Sequence, residues 1–370
     1  MATLDQLQDS SLHTKAPRSS NLELLRIVAM LAIIAHHYVV NSTVTELFIY
    51  DGAATPKQYF LEVYGMWGKT GINAFILLSG YFMCKMDLTL KRYLKLVVQI
   101  LFYGITIMLI FRICGYQQIT IKDIASKLLG IFMQINNGFT ASFLCFYAFT
   151  PIYNKLISVL SKEQLLQLSI GLLFVMSFCS TILFAPTMNE PVWYMTLYFV
   201  AAYIRLYPNK WTNSLTLSLY ILITSIIIAV IICLTLVYLS NTTGRPGFSA
   251  FKWHFIADSN KILSFIIGLS AFLTAKNIEI KHSKIINGLA AGCFGVLLIH
   301  ASSDTMRRWL WLDIINVPGI FKNSSILTLI IQAITVPLII FLVCSFIDHY
   351  YKKFLEPMFM RCIFRTHRKE

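Results

Sequence analysis

Charged residues are scarce in this sequence. Asp, Glu, Lys and Arg together make up 13% of the 370 residues, whereas hydrophobic residues make up 57%. A soluble globular chain carries roughly twice that charged fraction, at about 25%. The composition therefore argues against an ordinary soluble domain. It predicts an all-α, polytopic membrane protein built as a bundle of about ten transmembrane helices.

The chain also lacks any polar stretch long enough for a soluble domain. Residues 1–20 have no apolar core of the kind found in a cleaved signal peptide, so the first span is expected to act as an uncleaved signal anchor. We expect a cytoplasmic N-terminal segment over 1–20, a membrane domain over 21–350 and a basic cytoplasmic tail over 351–370. The predicted spans lie near 21–40, 66–84, 94–113, 139–157, 165–184, 191–207, 213–239, 259–275, 285–302 and 324–347. Segment 121–135 is predicted to be an amphipathic helix on the outer face.

Acidic residues are few, with 17 Asp and Glu against 31 Lys and Arg, which leaves a formal net charge of +14. With the N-terminus inside, the larger share of the basic residues falls in the inner segments, as the positive-inside rule requires. Membrane topology explains this charge better than nucleic-acid binding does. We therefore predict no nucleic-acid partner, a multi-pass cell-membrane protein with both termini cytoplasmic, and contact between the basic tail and anionic lipid.

Metal-binding and disulfide motifs are missing as well. The eight cysteines are scattered, mostly one per hydrophobic segment, and no Cys or His cluster has the spacing of metal ligands. We interpret them as helix-packing residues and assign no disulfide and no metal. An internal repeat is also absent, which disfavours a secondary transporter, because many transporters are built from repeats.

Against this apolar background, the first span carries Glu23, Arg26, His36 and His37. Arg26 and His37 lie within about 20° of one helix face and about 16 Å apart along the axis. Ionisable side chains within a membrane line a protein interior or a wet path. The functional interpretation takes His37 as a general base and Arg26 as the binder of an anion or carbonyl group. The alternative is a polar clamp between helices.

Two further polar positions lie in apolar segments. Ser79, within the run 71–81, is a candidate nucleophile if His37 lies beside it, although close helix packing explains the small and polar residues of this run equally well. His300 ends a later apolar segment at a depth similar to that of His37, so the two could share a cavity. The alternative for His300 is an ordinary polar residue at the membrane interface.

Lys91, Arg92 and Lys95 form a basic turn at the start of the third predicted span. The positive-inside rule alone accounts for a basic inner loop. The functional alternative is recognition of a phosphate group, for which the guanidinium of Arg92 has the most suitable geometry.

Taken together, four segments resemble the acyltransferase-3 family of integral membrane acyltransferases. Arg26 and His37 are similar to its Arg-x10-His signature, and residues 71–81 (GINAFILLSGY) to its second-span pattern. Residues 91–95 are similar to its basic cytoplasmic motif, and residues 294–300 (FGVLLIH) to a late motif in which Tyr usually replaces Leu297. The resemblance covers about 21–350. A Trp-Ser-x-x-x-Glu-like element and an appended hydrolase-like domain are both missing from the chain.

The resemblance implies transfer of an acyl group, commonly acetyl, from cytosolic acyl-CoA to a hydroxyl of an extracytoplasmic or lipid-linked glycan in a bacterial cell membrane. It implies that His37 is the essential histidine and Arg26 its partner, and that Lys91, Arg92 and Lys95 bind CoA phosphates. Acyl-CoA is then a co-substrate, with no tightly bound cofactor, and the partners are glycan and membrane lipid. Direct transfer and an acyl-histidine intermediate both stay open, as do a glycan flippase and a membrane small-molecule sensor.

Overall fold

The fold comes from a computed structural model that describes residues 19–136 and 138–365. No β-strand occurs among them, which confirms the all-α prediction. The α-helices are α1 (Ser20–Val40), α2 (Pro56–Tyr64), α3 (Gly68–Met83), α4 (Leu90–Ile113), α5 (Ile121–Met133), α6 (Phe139–Ala148), α7 (Thr150–Val159), α8 (Lys162–Leu173), α9 (Ser180–Ile182), α10 (Glu190–Leu206), α11 (Leu215–Thr243), α12 (Pro246–Phe251), α13 (Ile262–Asn277), α14 (Lys284–Ala291), α15 (Cys293–His300), α16 (Asp304–Arg308), α17 (Val317–Asn323), α18 (Ile326–Tyr350) and α19 (Glu356–Arg365). Short 3-10 helices lie at Val44–Leu47 and Gly65–Trp67, and π-helical segments at Phe174–Cys179, Trp309–Ile314 and Tyr351–Leu355.

The described chain fits a multi-pass membrane protein, but with fewer spans than predicted. Five stretches are long and apolar enough to cross a bilayer: Ser20–Val40, Leu90–Ile113, Lys162–Ile182, Leu215–Thr243 and Ile326–Phe364. A sixth results if Lys284–His300 and Asp304–Asn323, which meet at a 97° bend, form one broken span. The prediction of about ten spans is wrong because several apolar runs form short helices. Helices α3, α6 and α13 have 16, 10 and 16 residues, whereas a span needs about 20.

The structure describes the two predicted terminal segments to different extents. Most of the segment predicted over 1–20 lies outside the described residues, as do residues 366–370. The segment predicted as a tail from 351 is helical at its start, because α18 continues through a π-helical segment into α19. Glu356 of α19 forms an ion pair with Lys95 of α4, with 2.5 Å between Oε1 and Nζ. The start of the predicted tail is therefore tied to the helical bundle.

Helix α1 lies among other helices, packing against α3, α13, α14 and α18. Half of its apolar window (50%) is buried inside the protein, against 22% for α11. Gly71 of α3 faces α1 so closely that a Cβ atom there would lie 2.6 Å from the carbonyl oxygen of Ala29. Much of the polar first helix is therefore surrounded by protein rather than lipid.

Asn73 joins three helices through a complete set of hydrogen bonds. Its Nδ2 donates to the carbonyl oxygen of Ser259 at 2.7 Å and to Oγ of Ser264 at 3.1 Å. Its Oδ1 accepts from Nε1 of Trp193 at 2.9 Å. Gly268 of α13 packs directly on its Cβ. These contacts hold α3 against α10 and α13, as expected for small and polar residues between membrane helices.

The chain breaks sharply after His300, the last residue of α15. Helix α16 begins after a 97° change of direction, and the hydroxyl of Ser303 accepts a hydrogen bond from the backbone N–H of Met306 at 3.1 Å. This cap satisfies one of the free amides at the start of the new helix. The end of α15 before this break packs against α1.

Candidate active site

His37 and His300 come together from distant parts of the sequence. Nδ1 of His37 on α1 lies 3.0 Å from Nε2 of His300 on α15, and the ring centroids are 5.2 Å apart. Nδ1 of His300 lies 2.6 Å from the carbonyl oxygen of Val296, one turn earlier on α15. His300 is completely buried, whereas His37 is half-buried. The two imidazoles and the carbonyl form one hydrogen-bonded chain.

The carbonyl group of Val296 determines the direction of this chain. A carbonyl oxygen only accepts, so Nδ1 of His300 carries the proton. In a neutral imidazole the other nitrogen is then an acceptor, and Nε2 of His300 accepts from Nδ1–H of His37. The hydrogen-bond network assigns this tautomer. It leaves Nε2 of His37 with a free lone pair, which is the form required of a general base or a nucleophile.

A cavity of about 580 Å³ lies against His37. One part of its wall is apolar and comes from α1, α3, α4 and α15, with residues Met30, Ile33, Ile72, Phe75, Ile100 and Phe294. Another part is polar and comes from α5, α6 and the break after α15, with residues Ser126, Lys127, Thr140, Ser303, Asp304 and Arg307. The cavity therefore offers both an apolar and a polar surface beside an imidazole.

Helix α5 has the amphipathic character predicted for segment 121–135, but its polar side faces protein. Lys127, Gly130 and Gln134 line the cavity, whereas the apolar side chains Phe132 and Met133 are exposed. A membrane-bound helix in this orientation shows its apolar side to lipid and its polar side to a wet interior. Helix α5 thus forms one wall of the cavity.

Arg26 does not line the cavity. Its Nη1 forms an ion pair with Oε2 of Glu23 at 3.0 Å, and its guanidinium lies 5.9 Å from the ring centroid of Phe75. Phe75 itself lines the cavity, so the guanidinium contacts the ring of a cavity residue without lining the cavity. Arg26 and His37 therefore have different surroundings, although the helical spacing places them on one face.

Ser79 is also outside the cavity lining. Its hydroxyl donates to the carbonyl oxygen of Phe75 at 2.8 Å, a bond within α3 that is common for Ser in helices. No hydrogen bond joins Ser79 to His37 in the described chain. The geometry around Ser79 fits the packing interpretation of this run.

The basic turn lies at the start of α4, whereas the cavity lies beside the middle of this helix. Lys91 and Arg92 are exposed, Nη1 of Arg92 donates to the carbonyl oxygen of Asp87 at 2.7 Å, and Lys95 is paired with Glu356. Leu101 of the same helix lines the cavity, and nine residues of helix place it about 13 Å from Arg92 along the axis. The turn and the cavity are therefore separate surfaces joined by one helix.

Sequence reasoning missed a buried polar cluster around Asp348 of α18. Oδ1 of Asp348 accepts from Nε2 of Gln99 at 2.7 Å and from the hydroxyl of Tyr103 at 3.0 Å, and Oδ2 pairs with Nζ of Lys352 at 2.7 Å. Gly295 of α15 packs directly against the Asp348 side chain. The cluster fixes α15, the helix that carries His300. Its members come from segments with no common motif, so no sequence signal indicated it.

Two further histidines, His36 and His254, form hydrogen bonds away from the cavity. Nδ1 of His36 donates to the carbonyl oxygen of Gly65 at 2.5 Å, and its ring packs on Gly68. Nε2 of His254 donates to the carbonyl oxygen of Thr181 at 2.9 Å. Neither lines the cavity of His37. Both act as polar contacts between segments.

Comparison with protein families gives one match. Residues 19–349 match the model of the acyltransferase-3 family, which is described as an acyltransferase domain. The match covers nearly the whole chain, including the histidine pair and the cavity. Comparisons with curated proteins and with solved structures gave no match.

Proposed function

Because the chain belongs to the acyltransferase-3 family, we propose that it is a membrane O-acetyltransferase. In this proposal it moves an acetyl group from cytosolic acyl-CoA to a hydroxyl of an extracytoplasmic or lipid-linked glycan. The observation that carries the proposal is the position of His37, which lines a cavity with both apolar and polar walls and whose Nδ1 is bonded to His300, leaving Nε2 free. Such a cavity suits a substrate pair of one acyl group and one sugar hydroxyl.

In the direct reaction, Nε2 of His37 takes the proton of the acceptor hydroxyl while the hydroxyl oxygen attacks the thioester carbonyl carbon. The new C–O bond forms, the C–S bond breaks, and the CoA thiolate leaves with the proton from the imidazolium. In the stepwise alternative, Nε2 attacks the thioester carbonyl carbon, the C–S bond breaks, and the ring carries the acetyl group. The acceptor hydroxyl then attacks this carbonyl carbon, the C–N bond breaks, and the hydroxyl proton passes to the CoA thiolate. Both routes use the same nitrogen, and in both the hydrogen bond to His300 holds the ring in the reactive tautomer.

On the donor side, we propose that Lys91, Arg92 and Lys95 bind the phosphates of CoA on the cytoplasmic face. Arg92 and Lys91 are exposed and available for this role, whereas Lys95 would have to leave Glu356. The acyl arm would then extend along α4 and pass Arg26 and Phe75 to reach His37. The separation of the turn from the cavity supports a donor that enters from one side and an acceptor from the other.

The orientation belongs to the same proposal. With both termini cytoplasmic, the basic turn of α4 faces the cytosol and the wall formed by α5 and α16 faces outward, in the cell membrane of a bacterium. The excess of basic residues in the inner segments supports this arrangement.

The test is direct detection of the product. Purified protein in nanodiscs is incubated with labelled acetyl-CoA and candidate cell-surface glycans, and mass spectrometry reports acetyl esters. Wild-type protein and a His282→Ala control, which changes an exposed histidine, should form esters at equal rates. His37→Ala should lower the rate by about 10² to 10⁴, the range of general acid–base contributions. A folded His37→Ala protein that acetylates at the normal rate contradicts the proposal. Loss of the glycan itself from cells lacking the gene would indicate transport instead.

A further inference from the structure

Two cations stand in the wall of the His37 cavity: Lys127 on α5 and Arg307 on α16. Asp304 is the one carboxylate that lines this cavity within the described ranges. Its side chain is 92% exposed, so water solvates most of its charge and its ion pair contributes little. This side of the cavity therefore carries an excess of positive charge.

Within residues 19–136 and 138–365, Lys127 is held in place without a counterion of its own. Its Nζ donates to the carbonyl oxygen of Ser302 at 2.7 Å, and its aliphatic stem packs against Gly104 of α4. Burial lowers the pKa of Lys127, an effect that nearby Asp304 opposes and Arg307 reinforces. A carbonyl oxygen does not neutralise an ammonium group, so an additional anion beside Lys127 would stabilise it.

Arg307 is only partly paired. Its Nη1 contacts Oδ1 of Asp304 at 3.0 Å, while its Nε is buried without a hydrogen-bond partner among the residues that the structure describes. A guanidinium has five N–H groups in a planar fork that fits carboxylate and phosphate groups. Arg307 thus has unused capacity on the same wall as Lys127.

The apolar part of the cavity includes residues that precede His37 on α1. Ile33 and Met30 line the cavity four and seven residues before His37 on α1, which places them about 6 and 10 Å from it towards Arg26. Lys127 contacts the chain just after His300, through the carbonyl oxygen of Ser302, and Arg307 lies on α16, the next helix. The cavity beside His37 therefore offers both an apolar surface suited to an acyl group and a cationic surface suited to an anion.

We propose that Lys127 and Arg307 form an anion subsite, and that the acceptor carries a carboxylate or phosphate group near the hydroxyl that receives the acyl group. This inference rests on the proposed function, because it assigns the cationic wall to the acceptor. The anion would lie between the ammonium of Lys127 and the guanidinium of Arg307, with the hydroxyl directed at Nε2 of His37. The subsite would select anionic glycans over neutral ones.

The test compares two probes that differ only in charge: trigalacturonic acid and its carboxyl-reduced trisaccharide, each fluorescently labelled at the reducing end. Affinities are measured with the full chain in phosphatidylcholine nanodiscs. We expect the acidic probe to bind at least about tenfold more tightly, and Lys127→Gln and Arg307→Gln each to remove most of this difference. Lys122→Gln, which changes an exposed lysine of the same helix, should leave the preference intact.

Equal affinity for the two trisaccharides, or no measurable binding of either, overturns the inference. So does a preference that survives the double replacement of Lys127 and Arg307. Protein that keeps the charge preference but transfers no acetyl group contradicts the proposed function and leaves the anion subsite in place. Protein that acetylates neutral and acidic glycans equally well supports the proposed function and contradicts the anion subsite.

A second arm of the experiment distinguishes a glycan anion from a lipid headgroup. The same measurements are repeated in nanodiscs that contain phosphatidylglycerol. If the two cations serve the acceptor, the preference for the acidic probe persists in both membranes. If phosphatidylglycerol abolishes the preference, and the two Gln variants no longer respond to this lipid, the cations bind headgroups and the inference fails.

Discussion

Asn73 and His37 are both polar side chains inside a membrane bundle, but they use their polar atoms differently. Both hydrogens of the Asn73 amide and its oxygen have partners on α10, on α13 and on the turn before α13. His37 uses only Nδ1 and keeps Nε2 free beside a cavity. A polar group whose capacity is fully used holds helices together, whereas one with capacity left over beside a cavity is available for chemistry.

The largest expected effect comes from removing only the free nitrogen. In His37→Asn the side-chain amide can still donate to Nε2 of His300, but no base replaces Nε2 of His37. We expect the acetyl-transfer rate to fall by about 10² to 10⁴, with an unchanged thermal unfolding midpoint. Initial rates with labelled acetyl-CoA and unfolding curves in detergent measure both quantities. A rate within a few-fold of wild type would show that the free nitrogen is not used.

The next effect concerns the residue that orients His37. His300→Ala removes the acceptor for Nδ1–H of His37, so the reactive tautomer is no longer favoured, and we expect a loss of about 10² in rate. His300→Gln can place a carbonyl oxygen near the lost Nε2 and should restore part of the activity. A role in packing alone predicts that both variants lose stability and that Gln gives no recovery of the rate per folded molecule.

The Asn73 contacts should show the opposite pattern. Asn73→Ala leaves Nε1–H of Trp193 and Oγ of Ser264 without their partner, and we expect the free energy of unfolding to fall by about 2 kcal/mol. The transfer rate per folded molecule should stay near the wild-type value, since Asn73 lies outside the cavity. A large loss of rate at unchanged stability would contradict the distinction between Asn73 as a helix contact and His37 as a reactive group.

The smallest effect is expected at the exposed basic turn. Arg92→Gln removes one phosphate contact in water, so KM for acetyl-CoA should rise several-fold while kcat changes little. Lys85→Gln, a basic residue just before the turn, serves as the control. The effect should shrink at high salt, because exposed charges are screened. A fall in kcat with constant KM would argue against phosphate binding at this turn.

Much of the architecture around α1 follows from its sequence. Ionisable residues in an apolar helix predicted a protein-lined surface, and the similar depths of His37 and His300 suggested that they come together. The spacing of Arg26 and His37 predicted a shared face, but it did not reveal that the guanidinium contacts Phe75 of α3 and does not line the cavity. Helical periodicity describes the faces of one helix, whereas the surroundings of a side chain depend on the side chains of the neighbouring helices.

Other features depend on tertiary contacts and left no readable signal. The span count was overestimated because hydropathy does not show where an apolar run breaks, as at the bend between α15 and α16. The sequence predicted that Lys127 lies on the polar side of a surface helix, yet its side chain lines the cavity. Arg307 follows the break after His300, and no local pattern places it beside His37. Sequence thus indicated the reactive histidine better than the walls that surround it.

The tautomer of His37 tests the central claim most directly. In protein labelled with ¹⁵N-histidine and reconstituted in lipid, solid-state NMR distinguishes protonated from unprotonated ring nitrogens, and the signals lost in His37→Asn identify this residue. The account predicts a proton on Nδ1 and none on Nε2 of His37, with this preference lost in His300→Ala. A neutral His37 with its proton on Nε2 would contradict the account, because the nitrogen facing the cavity would then have no lone pair to act as base or nucleophile.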